Sequence, residues 1–345
     1  MGVNIKDVAE RAEVSIATVS HVLNGTRATR QQTRQRVLAA VAELGYEQNQ
    51  SARNLVRGRS SLLGLIISDV RNPFFPEITA AFQDQALAHN MDALVLNTNY
   101  DSQRTLNSVR RLMGLQVPGV ALLTSQIEPS VIAMLAKQRI AAVYLDLGRV
   151  AQSISNIVID YEKGITQALQ YLAETGHRRV GYVGGPAHLP SARRRKKAFA
   201  ETAARLGMNP EWSVDSDFTV KGAYLASWKL LGGCNPTAIL AGNDLTAIGV
   251  LHRAYQCGKR VPEDLSVIGF DDISFAEYTQ PALTTIAVPR HEIGRVAFEA
   301  LWTMMADPEL AGREFRMEPR LVIRQSCRAL NNLAVENPQR EESIR

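Results

Sequence analysis

Between Ile5 and Asn24 the chain reads IKDVAERAEVSIATVSHVLN, two short apolar-striped segments separated by a turn, and few folds accommodate that pattern. Ile5, Val8, Ala9 and Ala12 recur at i, i+3, i+4 and i+7, which places them on one face of a helix. Asn4 with Asp7 after it supplies an N-cap oxygen and a carboxylate at the positive end of the helix dipole. Ser15 can cap a second helix in the same way. In that helix Val19, Val22 and Leu23 turn toward a small core, leaving Ile16, Ala17, Ser20, His21 and Asn24 on another arc of the wheel. Thr29 with Gln32 reads as a capping box for a third helix, whose Val37, Leu38, Val41 and Leu44 run to a stop at Gly45. Three short helices that close one mini-domain, with a free arc on the second, have the build of a DNA-reading helix-turn-helix.

Charge is placed to suit that reading. Residues 1–59 hold nine Lys or Arg against five Asp or Glu, so four of the chain's five net positive charges lie there. A basic head attached to a nearly neutral remainder fits attraction to phosphate and salt-sensitive binding. With 345 residues the chain exceeds one ordinary domain and has ample length for a sizeable core. Its apolar stretches fall short of the roughly 18 residues of a membrane span. The opening MGVNIKDV lacks an apolar segment behind a basic start, so the expected location is the cytoplasm, without a membrane partner. Cys234, Cys257 and Cys327 are odd in number and widely separated, which points to buried reduced thiols and away from a disulfide framework or a metal knuckle.

From Ser61 onward the texture changes. SLLGLIISDV is followed by a helical pattern over 76–90 and then by DALVLNTN. Further apolar runs span 119–123, 141–146, 156–159, 179–184, 238–241 and 265–270, with helical segments between them. This alternation predicts an α/β fold with parallel strands covered on both faces. About nine crossover units are better housed in two doubly wound lobes than in one open sheet, with a ligand cleft between them.

With those parts in place, the chain resembles the lactose-repressor (LacI/GalR) family of transcriptional regulators. The resemblance covers residues 3 to about 328. It is carried by VSIATVSHVLNG, LGYEQNQSARNL, NPFF, GHRRVGYVGGP, AGNDLTAIGVL, VPEDLSVIGFDDI and PALTTIAVP, in family order. It implies a helix-turn-helix head at 1–46, a hinge at 47–60, a core at 61–330 similar to periplasmic sugar-binding proteins, and a tail at 331–345 expected to be disordered. Three strands would cross between the lobes, with a return to the first lobe near Val288 and an end in the second near Leu321.

By the same resemblance, Ser15, Ile16, Ala17, Thr18, Ser20, His21 and Asn24 are candidate DNA contacts. Ile16, Ala17 and His21 match the positions that usually face the major groove, and His21 is the main candidate base reader. Ala52, Arg53 and Leu55 belong to the hinge, where Leu55 matches a leucine that wedges into the minor groove when two protomers share an operator. Glu13 departs from the family's usual turn glycine. The effector candidates are Phe74, Phe75, Asp146, Arg195, Phe218, Asn243 and Asp271. Carboxylates accept sugar hydroxyls, arginine presents a forked donor and aromatic faces cover C–H surfaces, so a carbohydrate is the implied ligand. The basic run Arg193 to Lys197 adds a second reading, an anionic effector such as a sugar phosphate.

The expected function is that of a homodimeric regulator, most simply a repressor, reading a palindromic double-stranded operator under control of a small effector. The tail lacks the leucine heptad of tetrameric relatives. An enzyme of doubly wound type is disfavoured: there is no GxxxxGK[ST] loop, no strand-linked GxGxxG and no HExxH, so no catalytic residue, cofactor or metal site is expected. A sugar sensor without DNA activity would explain the lobes but leave the basic head without a role.

Overall fold

The computed structural model describes residues 3–25, 27–46, 60–124, 127–147 and 150–330. The chain divides into two compact units at Ser60 and Ser61. The hinge candidates Ala52, Arg53 and Leu55 and the segment 331–345 lie outside the described residues.

In the first unit, helix α1 spans Ile5–Arg11, α2 Ile16–Asn24 and α3 Gln31–Leu44. Asn4 Oδ1 accepts the Lys6 amide at 2.8 Å and the Asn4 amide donates to Asp7 Oδ2 at 2.8 Å, a reciprocal cap that fixes where α1 starts. Ser15 Oγ accepts the Thr18 amide at 3.1 Å and starts α2. Between them Glu13 takes a φ of 54°, a left-handed turn imposed on a residue with a Cβ. α2 ends at Gly25 (φ 61°) and α3 at Gly45 (φ 59°). The start of α3 differs from expectation: Arg30 holds the N-cap position and makes no side-chain cap. Thr29 therefore sits one residue too early to reach the free amides of the first turn, and no Thr29–Gln32 capping box forms. Val8, Val19 and Val37, all fully buried, meet at the centre with Ala9, Ala12 and Ala40 around them. Arg11 and Glu43 close the outside at 2.7 Å between α1 and α3, a half-exposed pair worth at most about 1 kcal/mol.

The second unit holds two six-stranded sheets, ordered β11-β5-β4-β3-β1-β2 and β12-β10-β9-β8-β6-β7. In chain order the strands are β1 Leu62–Ile67, β2 Asp92–Asn97, β3 Gly119–Leu123, β4 Ala141–Leu145, β5 Ile154–Ile159, β6 Val180–Val183, β7 Ser213–Val214, β8 Ala238–Ala241, β9 Ser266–Asp271, β10 Thr284–Ala287, β11 Glu314–Met317 and β12 Arg320–Val322. All named strand pairs are parallel except β10 with β12. The central strands are buried along their whole length, as helices on both faces require, and that is why they read as continuous apolar runs.

The chain passes between the sheets three times: from β5 to the helix Tyr161–Glu174, from β10 to the helix Arg290–Ala306, and from β11 to β12. The return near Val288 and the end near Leu321 are where the family resemblance put them. Each lobe also carries one very close helix crossing. A Cβ on Gly294 would stand 2.3 Å from the Ile78 carbonyl oxygen, and one on Gly249 would stand 2.4 Å from that of Val220. Glycine at both points lets the helix backbones approach to a distance that alanine would forbid.

The thiols depart from expectation. All three are free, but Cys257 is exposed and Cys234 and Cys327 are half-buried. Cys257 caps the helix Asp244–Gln256 where that helix runs out to the surface.

Candidate functional site

In the head, Ser15, Ile16 and Ala17 are exposed and Thr18, Ser20 and His21 are half-buried on the same helix, while Val19 fills the core. Ile16 exposes 44 % of its surface. Asn24 closes the same helix. The Ser15 Oγ to Thr18 Oγ1 contact at 2.9 Å orients both hydroxyls at the start of α2. The arc thus presents small, polar and methyl-bearing groups from one rigid helix, the geometry that groove reading needs.

In the core, all seven effector candidates line one cavity at the carboxyl ends of the strands. Phe74 and Phe75 come from the start of the first lobe's helix Phe74–Ala88 and meet edge to face at 5.1 Å. Both are core residues and cavity wall at once, being 5 % and 6 % exposed. Asp146 follows β4 in the first lobe, and Arg195, Phe218, Asn243 and Asp271 belong to the second.

Arg195 organises the floor. It is buried, with its guanidinium carbon 4.4 Å from the Phe270 ring centre, 4.7 Å from Tyr161 and 5.5 Å from Phe218. Aromatic faces on this scale favour a desolvated cation. Its Nη1 donates to the Gly242 carbonyl and its Nη2 lies 3.6 Å from Asp271 Oδ1. Arg195 Nε and Asp271 Oδ1 have no hydrogen-bond partner among the described residues. Burial pushes the Asp271 carboxyl up to about 6, with Arg195 and then Arg290 pulling the other way. Asn243 caps the helix Asp244–Gln256 through Oδ1, which accepts the Thr246 amide at 2.8 Å, while its Nδ2 reaches the Phe218 carbonyl at 3.4 Å. One amide hydrogen therefore remains for a ligand.

Several residues of the site were not foreseen. Tyr100, at a φ of 59° beyond β2, packs from the first lobe against Leu189, Ala192 and Phe218 of the second. Asp244 is fully buried and accepts from the Ile273 amide at 2.7 Å and from the Thr285 hydroxyl. Burial, and then the nearby Asp271 charge, hold its carboxyl well above the usual range. Arg290 joins the lobes, donating to Glu77 Oε2 at 2.7 Å and to the Asp271 carbonyl. The motif AGNDL holds Asp244 beside Asn243, which was the available signal. Nothing local to Tyr100 or Arg290 announces where the fold carries them.

The basic run is engaged throughout. Arg193 donates to the His188 carbonyl at 2.6 Å, Arg194 lies 3.3 Å from Asp146, and Lys196 and Lys197 pair with Asp215 at 2.8 Å and Glu201 at 3.7 Å. Each cation thus already has a protein acceptor, which weakens the case for an anionic effector.

A groove-reading helical head on a two-lobed core with a polar-floored cleft defines a ligand-responsive DNA-binding transcription regulator. Comparison with known proteins agrees. Residues 4–49 match the family of bacterial regulatory proteins, lacI family, and residues 169–327 match the periplasmic binding protein-like domain. The repressor PurR of Vibrio vulnificus is 34 % identical over 333 residues, 95 % of this chain and 99 % of that protein. The ribose operon repressor of Haemophilus influenzae is 32 % identical over 329 residues, 94 % of this chain and 99 % of its own length. The crystal structure of the lac repressor dimer bound to operator and the anti-inducer ONPF superposes with a TM-score of 0.85 at 27 % identity, covering 95 % of this chain and 100 % of that one. The chain belongs to the LacI family of bacterial regulatory proteins.

Proposed function

We propose that the chain acts in the cytoplasm as a homodimeric repressor, and not as an enzyme, with each head reading one half of an inverted-repeat operator. Ile16, Ala17 and His21 meet base edges. Ser15, Thr18, Ser20 and Asn24 flank them, and Ala52, Arg53 and Leu55 of the 47–60 linker complete the contact. The lac repressor dimer captured on its operator supports this arrangement. Among the described residues no helix is long and apolar enough to cross a membrane, and no group of three ligating side chains is placed to hold a metal.

The effector is a small uncharged polyhydroxylated molecule of the carbohydrate class. The observation that carries this reading is the buried Arg195–Asp271 pair, held at 3.6 Å with one donor and one acceptor unpaired. A hydroxyl placed there donates to Asp271 and accepts from Arg195, Asn243 supplies a further N–H, and Phe74, Phe75 and Phe218 cover C–H faces. Asp146 forms part of the wall with its carboxylate already engaged. Calorimetry with a panel of neutral monosaccharides and their phosphates tests this. Binding of a neutral sugar is expected, and binding of phosphates alone would overturn it.

A further inference from the structure

Asp146 follows β4 in the first lobe, yet the second lobe grips it from two elements. Its Oδ2 accepts the Tyr161 hydroxyl at 2.6 Å, and Tyr161 is the first residue of the helix that covers the second sheet. Its Oδ1 accepts the Ile159 amide at 3.1 Å and lies 3.3 Å from Arg194 Nη1. Arg194 Nη2 also donates to the Asp146 backbone carbonyl at 3.0 Å. Two nitrogens of one guanidinium therefore clasp a single residue of the opposite lobe, a fork that one lysine ammonium reproduces only in part.

Arg194 differs in this from its neighbours in the run. Arg193, Lys196 and Lys197 reach partners in their own lobe: the Ala187 and His188 carbonyls, Asp215 and Glu201. The burial of the pair is also unequal, with the Asp146 side chain 2 % exposed and that of Arg194 43 %. The carboxylate is locked inside while the cation stands at the rim, where it can let go into water.

We propose that Arg194 is a positioning residue that latches the two lobes over the cavity before any effector arrives. By holding Asp146 it also holds Tyr161, whose ring lies under the Arg195 guanidinium at 4.7 Å, so the latch sets the floor that the effector meets. An effector that finds the competent arrangement already populated loses less of its binding energy to closure. Because the Asp146 oxygens are occupied by three donors, Asp146 positions the floor and leaves polar recognition to other residues of the cavity, Arg195, Asn243 and Asp271 among them.

The test uses the full chain with the native cysteines changed to serine and spin labels on Leu115→Cys and Glu263→Cys. Both positions are exposed and precede the amino ends of strands, on the sides of the lobes away from the cavity. Labelled chain is diluted into unlabelled chain so that each distance is measured within one subunit, by pulsed electron paramagnetic resonance and without ligand. The parent is expected to show one short interlobe distance. Arg194→Leu should raise the open-to-closed ratio roughly 3- to 10-fold, as suits a half-buried ion pair, and Arg194→Lys should restore part of it. Lys196→Leu, which removes an ion pair within one lobe, should match the parent. An Arg194→Leu distribution superimposable on the parent's, or equal opening by Lys196→Leu, would overturn the proposal. No effector enters the measurement, so the result is independent of which ligand the cavity takes.

Discussion

Arg195 Nη2 stands 3.6 Å from Asp271 Oδ1, near enough for strong attraction in a buried setting and too far for a hydrogen bond. The pair is preorganised by aromatic faces around the arginine and by Arg290 on the Asp271 carbonyl, and Arg195 Nε and Asp271 Oδ1 are left without hydrogen-bond partners among the described residues. Truncating one member strands the other. Arg195→Ala is expected to abolish effector binding and to destabilise the core by about 3–5 kcal/mol, read from urea unfolding. A loss under about 1 kcal/mol would show that the pair is not held as a buried couple.

The Asp271 carboxyl, raised by burial to about 6, makes two pH-dependent quantities. Its folded pKa lies above the unfolded value of 3.8, so the folded chain takes up the proton more readily. Its stabilising contribution is complete below pH 4 and is lost as pH rises through 6, by roughly 3 kcal/mol at most. Unfolding of Asp271→Asn beside the parent across pH 4–7 should show the two converging toward acid and parting toward neutrality. Affinity for a neutral effector should run the other way, falling below pH 6 as the acceptor is protonated, and Asp271→Asn should flatten that profile. Parallel profiles for the two chains would contradict both statements.

Glu13 holds a φ of 54° in the turn between α1 and α2, with an exposed 3.8 Å contact to Arg36 that contributes little. Relief of the left-handed penalty outweighs the extra flexibility of glycine in the unfolded chain. Glu13→Gly should therefore stabilise the head by about 0.5–1 kcal/mol, visible as a rise in the head's calorimetric transition. A fall in that transition would mean that Glu13 contributes through some other contact.

His21 lies one turn beyond Ala17 on α2, on the arc assigned to base edges. His21→Ala should weaken operator binding by about 1–3 kcal/mol and relax preference at one base pair of each half-site. Uniform loss across sequences on His21→Ala would move that residue to the phosphate class.

Much of the fold was legible because it rests on local rules. Asn4 and Asp7, Ser15 and Gly45 act where capping chemistry puts them, and Gly119–Leu123 and Ala238–Ala241 are strands over the bounds that their apolar runs suggested. The first core helix begins at Phe74, two residues before the pattern indicated, because Pro73 and Asn72 start it and Asn72 Oδ1 takes the Phe74 amide at 3.0 Å. Thr29 misled for a related reason, since a plausible cap residue does not settle the register of the turn that follows. The cavity was legible in its family positions but not in its chemistry. That Arg194 would cross the cleft while Lys196 stays at home depends on which way each side chain leaves one helix and what the opposite lobe presents. Neither is a property of the run RRRKK.

On the proposed function, the head's grip on an inverted repeat is governed by what occupies the interlobe cavity. The most direct measurement is fluorescence anisotropy of the full chain on an inverted-repeat duplex selected from a random pool, titrated with a neutral monosaccharide shown by calorimetry to bind, alongside Arg195→Ala. The expected result is salt-sensitive, sequence-selective binding whose affinity shifts at least fivefold with the sugar in the parent and not in the variant, a coupling of about 1 kcal/mol or more. Selective binding that the bound sugar leaves unchanged, or no preference for any inverted repeat over random duplex, would contradict it.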